Sequence, residues 1–269
     1  MTRILVLAGL LAAILVVVLV GLRIPAPPFP APPPTPATET VAIPRDLPAP
    51  VERFYRSTYG DAVPVAQNVV LTGRARLRIL GVSMPARWRF THDVGHGYRH
   101  EIVTTWFGIP IFVVDERFLD GTARLELPFG QVEEGATVDQ GANLALWAEA
   151  MWFPAALALD PRVRWEVVDD ATALLHVPYG GDSETFVARF DPTTTRLTLL
   201  EAMRYKGAEA TSKTLWITRA DAWGEIDGHP TMTRASVQWL DEGRPWATFE
   251  VDHLRFGVED VDARLGRTP

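Results

Sequence analysis

Residues 4–22 read ILVLAGLLAAILVVVLVGL, without one charged or polar side chain. A helix over them rises about 1.5 Å per residue and reaches roughly 28 Å, the thickness of a bilayer's hydrocarbon core. That feature fixes where the rest of the chain can work more firmly than any other. The run is longer than the apolar core of an ordinary signal peptide, and Ala26 and Ala31 are each followed by proline, which opposes cleavage. We therefore expect an uncleaved anchor over residues 1–23. Arg3 with the α-amino group nearly balances Arg23 across the span, so the positive-inside rule decides little. The short N-terminal tail favours a signal-anchor topology, single-pass in the cytoplasmic membrane with the C-terminal bulk outside the cytoplasm.

Eleven of the 26 residues from Pro25 to Pro50 are proline. Proline lacks an amide donor and favours the extended polyproline II form, so residues 24–50 predict a linker able to span roughly 80 Å as a tether or semi-rigid stalk. Residues 51–269 then form a single domain large enough for a core of its own. With no cysteine, disulfides and thiol chemistry are excluded. The formal net charge of −7 argues against non-specific nucleic-acid binding.

Asp46 to Tyr59 has helical spacing in Leu47, Val51, Phe54 and Tyr55. The period then becomes two. Val69, Leu71, Ala75, Leu77 and Ile79 fall on one face, with Thr72, Arg74, Arg76 and Arg78 on the other. Gly81–Pro85 reads as a turn, and 87–90 resumes the alternation. Further strands are expected near 97–107, 110–118, 122–128, 162–168, 172–178, 184–191, 195–205, 212–223, 230–240 and 245–257. Gly- and Asp-rich spacers as short as Asp120-Gly121 and Asp227-Gly228 predict an antiparallel meander.

Residues 137–159 break this pattern. Thr137 and Gln140 have capping-box spacing, and the stretch that follows is apolar nearly all round, as a buried helix is. Pro154 should kink or end it. The expected fold is α+β and mainly antiparallel β: a curved meander sheet or half-barrel wrapped around one buried helix at about 138–159.

The helix carries Glu149, Trp152, Pro154, Ala156 and Leu157 in the pattern Glu-x-x-Trp-x-Pro-x-Ala-Leu, followed by Trp165. With looser agreement at Asp115, Gly121, Trp223, Gly228, Pro230 and Trp239, residues 80–255 resemble a bacterial, membrane-anchored family of unknown function. The resemblance implies a fold and assigns no activity. The layout is also similar to the half-barrels of periplasmic lipoprotein carriers, which cup acyl chains between a curved sheet and helices.

Four sets of residues are candidates. Glu149 is the only ionisable side chain between Asp139 and Asp160, so it is either an acid/base or head-group acceptor, or a structural partner of an arginine. His92 and His100 straddle a turn centred on His96 and would hold a metal ion with Asp93 or Glu101, or simply decorate a surface turn. Arg74, Arg76, Arg78, Arg87 and Arg89 form a row, Arg78 facing Arg87 and Arg76 facing Arg89, that needs anionic head groups or acids such as Glu101 to neutralise it. Trp88, Trp106, Trp147 and Trp152, with Glu149, either line an apolar pocket between sheet and helix or fill the core.

No phosphate loop, nucleophile elbow or zinc-protease motif occurs, and no cofactor is implied. Three functions stay open. The first is a non-enzymatic, membrane-anchored domain holding a lipid or other apolar molecule between sheet and helix. The second is a structural or protein-interaction module of the cell envelope. The third is an enzyme using Glu149.

Overall fold

The computed structural model describes residues 2–33 and 38–267; residues 1, 34–37, 268 and 269, which fall in the expected anchor, linker and domain end, lie outside the described residues. The apolar N-terminal run forms α1 (Thr2–Arg23), long and apolar enough to cross a bilayer and exposed over residues 3–20, with Gly21 and Leu22 buried. The chain then places β1 (Thr40–Ala42), α2 (Ala49–Tyr59) and β2 (Ala62–Pro64), with β1 and β2 paired antiparallel. The apolar face of α2, through Val51, Phe54 and Tyr55, is buried in the main core.

Two meanders follow. The first comprises β3 (Asn68–Ile79), β4 (Val82–Asp93), β5 (Gly97–Trp106), β6 (Ile109–Leu119), β7 (Thr122–Glu126) and β8 (Val132–Glu134). The second comprises β9 (Arg164–Asp169), β10 (Thr172–Tyr179), β11 (Asp182–Phe190), β12 (Leu197–Arg204), β13 (Thr214–Ile226), β14 (His229–Trp239) and β15 (Pro245–Phe256). They join into one 13-stranded antiparallel sheet because β15 pairs with β3. β8 and β9 are thus the two outer edges, and the helical segment between them crosses the sheet's inner face. A short α5 (Val261–Leu265) closes the described chain.

That segment is α3 (Ala136–Glu149), a single 3-10 turn over Ala150–Trp152, and α4 (Ala155–Leu159). Phe153 leaves helical geometry (φ −137°, ψ 62°) just before Pro154, whose ring crowds the helical conformation of the preceding residue. The Trp152 carbonyl left over by the break accepts from Thr231 at 2.6 Å, and Pro154 O, which already accepts the Leu157 amide at 3.0 Å, takes a second bond from the Tyr55 hydroxyl at 2.7 Å. The capping box does not form. Thr137 instead donates to Ala208 O at 3.1 Å and Gln140 to Glu184 and Met203 O, so both bind the helix sideways to the second meander.

The sheet is the antiparallel half-barrel around a buried helix that the alternation predicts. Two hairpins differ, β3–β4 and β4–β5. The turn after β3 is the two-residue Leu80-Gly81, not 81–85, and β4 starts at Val82. The register therefore sets Arg74 opposite Arg87, Arg76 opposite Pro85 and Arg78 opposite Ser83, rather than the pairings expected above.

Candidate functional site

Alternation on β4 turns Trp88, Phe90 and His92 toward the helix, and β5 brings Tyr98 and His100 beside them. Phe90 faces His100 and His92 faces Tyr98, so the two histidines are diagonal neighbours rather than the direct pair expected from a turn centred on His96. The His100 ring lies between Phe90 and Tyr98, with centroids 3.9 Å from each. From the helix, Glu149 reaches down to both imidazoles. Its Oε2 is 2.8 Å from His100 Nε2 and 3.2 Å from His92 Nε2. Behind His100, Glu116 on β6 approaches Nδ1 at 3.3 Å and accepts the Tyr98 hydroxyl at 2.7 Å.

This is a polar knot in an apolar core. His92 is fully buried and His100 is 3% exposed, while the Glu149 side chain keeps 13% of its surface. Burial alone would lower the His100 pKa. The charge of Glu149 and the hydrogen bonds to Glu116 and Glu149 outweigh it and raise it to about 9. Burial likewise opposes ionisation of Glu149, but the two histidines, His100 foremost, bring its pKa down to about 2. His92 goes the other way: burial dominates and lowers its pKa. Its Nδ1 has no hydrogen-bond partner, and its Nε2 contact with Glu149 lacks hydrogen-bond geometry. One donor atom from each of His92, His100 and Glu149 lies within 4.8 Å of the others. The carboxylate of this set comes from Glu149, not from Asp93 or Glu101. Glu101 instead forms a two-bond pair with Arg89 on the opposite face of the sheet, at 2.6 and 2.7 Å.

A family of unknown function, DUF6544, matches residues 37–251. The chain belongs to that family. The Glu149–Trp165 segment that carries the resemblance is thus part of a DUF6544 domain, and Glu149 stands at the centre of the knot. Solved structures also align with this DUF6544 chain. A DUF1329 family protein from Desulfovibrio piger is 14% identical, with TM-score 0.44 over 80% of this chain and 94% of that one. A putative outer membrane lipoprotein-sorting protein domain from Vibrio parahaemolyticus is 12% identical, with TM-score 0.45 over 81% and 97%. A LolA superfamily protein from Nitrosomonas europaea is 11% identical, with TM-score 0.46 over 77% and 92%. No curated protein matches the chain.

In this DUF6544 domain the space between helix and sheet is filled by aromatic rings. Trp152 stacks on Trp88 at 5.5 Å and meets Phe90 and Phe249 edge-on, at 6.0 and 6.1 Å. Gly73, opposite Trp88, makes this possible: a Cβ there would collide with the indole ring. Trp147 is also buried, with the Arg162 guanidinium 5.7 Å over its ring. Trp106 stands apart from the other three. It sits at the tip of the β5–β6 hairpin and donates its indole N–H to Val18 O of α1 at 3.2 Å.

The arginine row lies on the outer face. Arg74 pairs with Asp252 at 2.8 Å, Arg78 with Glu242 at 2.5 Å, and Arg76 bonds Ser83. Arg87 and Arg89 hold the ring of Phe29 between them, at 4.7 and 4.9 Å, so this part of the proline-rich segment lies against the sheet. Where that segment leaves α1, a cleft of about 190 Å³ is lined by Arg23, Arg74, Arg76 and Arg234 together with Glu250 and Pro25.

Sequence alone did not reveal Glu116 or Arg204 as parts of this region. Glu116 carried one signal, a carboxylate two residues before Phe118 on the inward face of a strand. Arg204 carried none, since only the fold sets it beside Gly141 of α3 and over the Trp216 ring at 4.3 Å.

Proposed function

We propose that this chain is a non-enzymatic, membrane-anchored extracytoplasmic domain that works on the membrane surface and holds an anionic lipid head group beside its anchor. The observation that carries it is a contrast between turns of one geometry. Five antiparallel connections turn on X-Gly pairs in which both residues have positive φ: Leu80-Gly81, Phe107-Gly108, Asp120-Gly121, Phe129-Gly130 and Asp227-Gly228. Such turns favour Asn, Asp or Gly at the first position, because other side chains crowd the left-handed backbone. In an antiparallel meander alternate turns lie at opposite ends. The two Asp turns fall at the end far from α1. The Leu and Phe turns fall at the near end, where the Phe107 amide donates to Gly21 O at 3.0 Å.

The near end exposes more apolar surface. Leu80 is 99% exposed, Phe129 95%, Ile109 64% and Leu240 58%. Each is unfavourable in water and favourable in the lipid interface, where Trp106 also belongs. The arginine-lined cleft opens beside the same helix end, suited to phosphate through bidentate guanidinium contacts. This reading puts lipid outside the sheet, because aromatic side chains occupy the inner gap.

The test uses the full chain in nanodiscs of neutral lipid, with and without a minor anionic phospholipid, followed by native mass spectrometry of retained lipid. We expect selective retention of the anionic lipid, reduced in Arg76→Gln and Arg234→Gln. Equal retention of both lipid classes would overturn the reading.

A further inference from the structure

We propose that His92, His100 and Glu149 form a binding site for a borderline divalent metal ion of the zinc class, clamping the end of α3 to the β4–β5 hairpin. The inference is independent of the membrane reading, because it rests on the inner face of the sheet alone.

Three observations carry it. First, the donors are of the right kind and number. Two imidazoles and one carboxylate suit Zn²⁺ or Fe²⁺, and bonds of about 2.0–2.1 Å set tetrahedral donors roughly 3.3 Å apart. Here both Nε2 atoms converge on one Glu149 oxygen at 2.8 and 3.2 Å, so small side-chain shifts complete the geometry. Second, the surrounding contacts match those of a metal ligand. Glu116 lies at His100 Nδ1, where an N–H donated to it would leave the Nε2 lone pair pointing at Glu149, and Tyr98 in turn holds Glu116. Third, His92 is fully buried and its Nδ1 and Nε2 both lack a hydrogen-bond partner. The Nε2–H of a neutral imidazole would meet the carboxylate only in poor hydrogen-bond geometry, whereas a cation between the two would engage the Nε2 lone pair and the carboxylate charge together.

The charges are compatible. Two largely buried carboxylates, Glu116 and Glu149, feel the charge of the buried Arg204 guanidinium, and a divalent ion would supply further positive charge. Three protein donors leave one coordination position for water or another small ligand, and the partial exposure of Glu149 gives that position a route to solvent.

The competing arrangement is a metal-free imidazolium, with His100 protonated on both nitrogens between Glu116 and Glu149. The experiment separates the two. The full chain, purified in detergent with an affinity tag that contains no histidine, is stripped with chelator and titrated with Zn²⁺ by calorimetry and thermal denaturation. We expect one equivalent bound per chain, a higher Tm, and loss of both in His92→Gln and Glu149→Gln. Glu116→Gln removes no donor and should weaken binding about 10- to 100-fold. Should a variant fail to fold, the Co²⁺-loaded wild type still decides, through the visible absorption of a nitrogen- and oxygen-ligated ion. A stripped protein that takes up neither Zn²⁺ nor Co²⁺, or variants that bind Zn²⁺ as well as the wild type, would overturn the proposal in favour of the imidazolium. Neither outcome bears on lipid retention.

Discussion

Trp106 donates its indole N–H to the carbonyl of Val18, a residue of the apolar N-terminal helix, at 3.2 Å. The β5–β6 hairpin is thereby joined to that helix one turn before its end, and the Phe107 amide to Gly21 O repeats the link.

Gly21 has no room for a side chain, since a Cβ would run into the Trp106 and Phe107 rings. Gly21→Val should push the hairpin away and break the Phe107 amide bond, at a net cost of about 0.5–1.5 kcal/mol. Amide hydrogen exchange at Phe107 should accelerate several-fold in nanodiscs, while amides at the far end, such as Gly121, keep their rates.

Leu80 holds a left-handed backbone (φ 49°) with its side chain almost wholly exposed. Asparagine adopts that backbone more readily. Leu80→Asn should therefore leave urea stability within about 0.5 kcal/mol of the wild type or raise it. The same variant should show weaker paramagnetic broadening of hairpin amides by spin-labelled lipid. Unchanged broadening would argue that this turn stays in water.

Tyr55→Phe removes one of two donors to the Pro154 carbonyl, which keeps the Leu157 amide at 3.0 Å. A loss of about 0.5–1.5 kcal/mol in chemical denaturation is expected. Tyr59→Phe is the control, because no hydrogen bond from its hydroxyl is seen among the described residues.

The metal-free protein should have a bounded pH optimum. His100, raised from 6.5 to about 9, gives stability that is complete below its unfolded value and lost as pH rises through about 9. Glu149, lowered from 4.5 to about 2, gives stability complete above its unfolded value and lost as pH falls toward about 2. The pair thus contributes most between about 4.5 and 6.5, and Tm should fall on both sides. In Glu149→Gln the acid limb should flatten.

Much of the architecture was legible because period-two patterning and Gly-containing turns are local signals. The alternation of Val69, Leu71, Ala75 and Leu77 identified β3, and the apolar run near Leu144 identified the central helix. Register is less legible: Leu80 lacks the residue type that normally marks a left-handed position, so the β3–β4 turn reads as longer than it is, and the β4–β5 turn reads as centred on His96. The first of these displaces every arginine pairing. The candidate site was half visible. Glu149 stood out as a charge in an apolar helix, and His92 and His100 as neighbours across a turn. Their convergence depended on the helix crossing the sheet, a contact between distant segments that no local pattern encodes. Trp106 looked like its fellow tryptophans in composition and differs only in lying at a hairpin tip.

The seam between β3 and β15 has a consequence for how the protein is made. Every other neighbour in the large sheet follows along the chain, but β3 waits for the last strand. One backbone edge of Asn68–Ile79 therefore stays open while the second meander is being synthesised and, on the topology proposed here, exported. An unpaired strand edge invites pairing with other chains. The alternating Arg74, Arg76 and Arg78 guard that edge by charge until Pro245–Phe256 arrives. A chain ending before Pro245 would retain most of its strands and both halves of its core, yet be the form most exposed to aggregation and to proteases of its compartment.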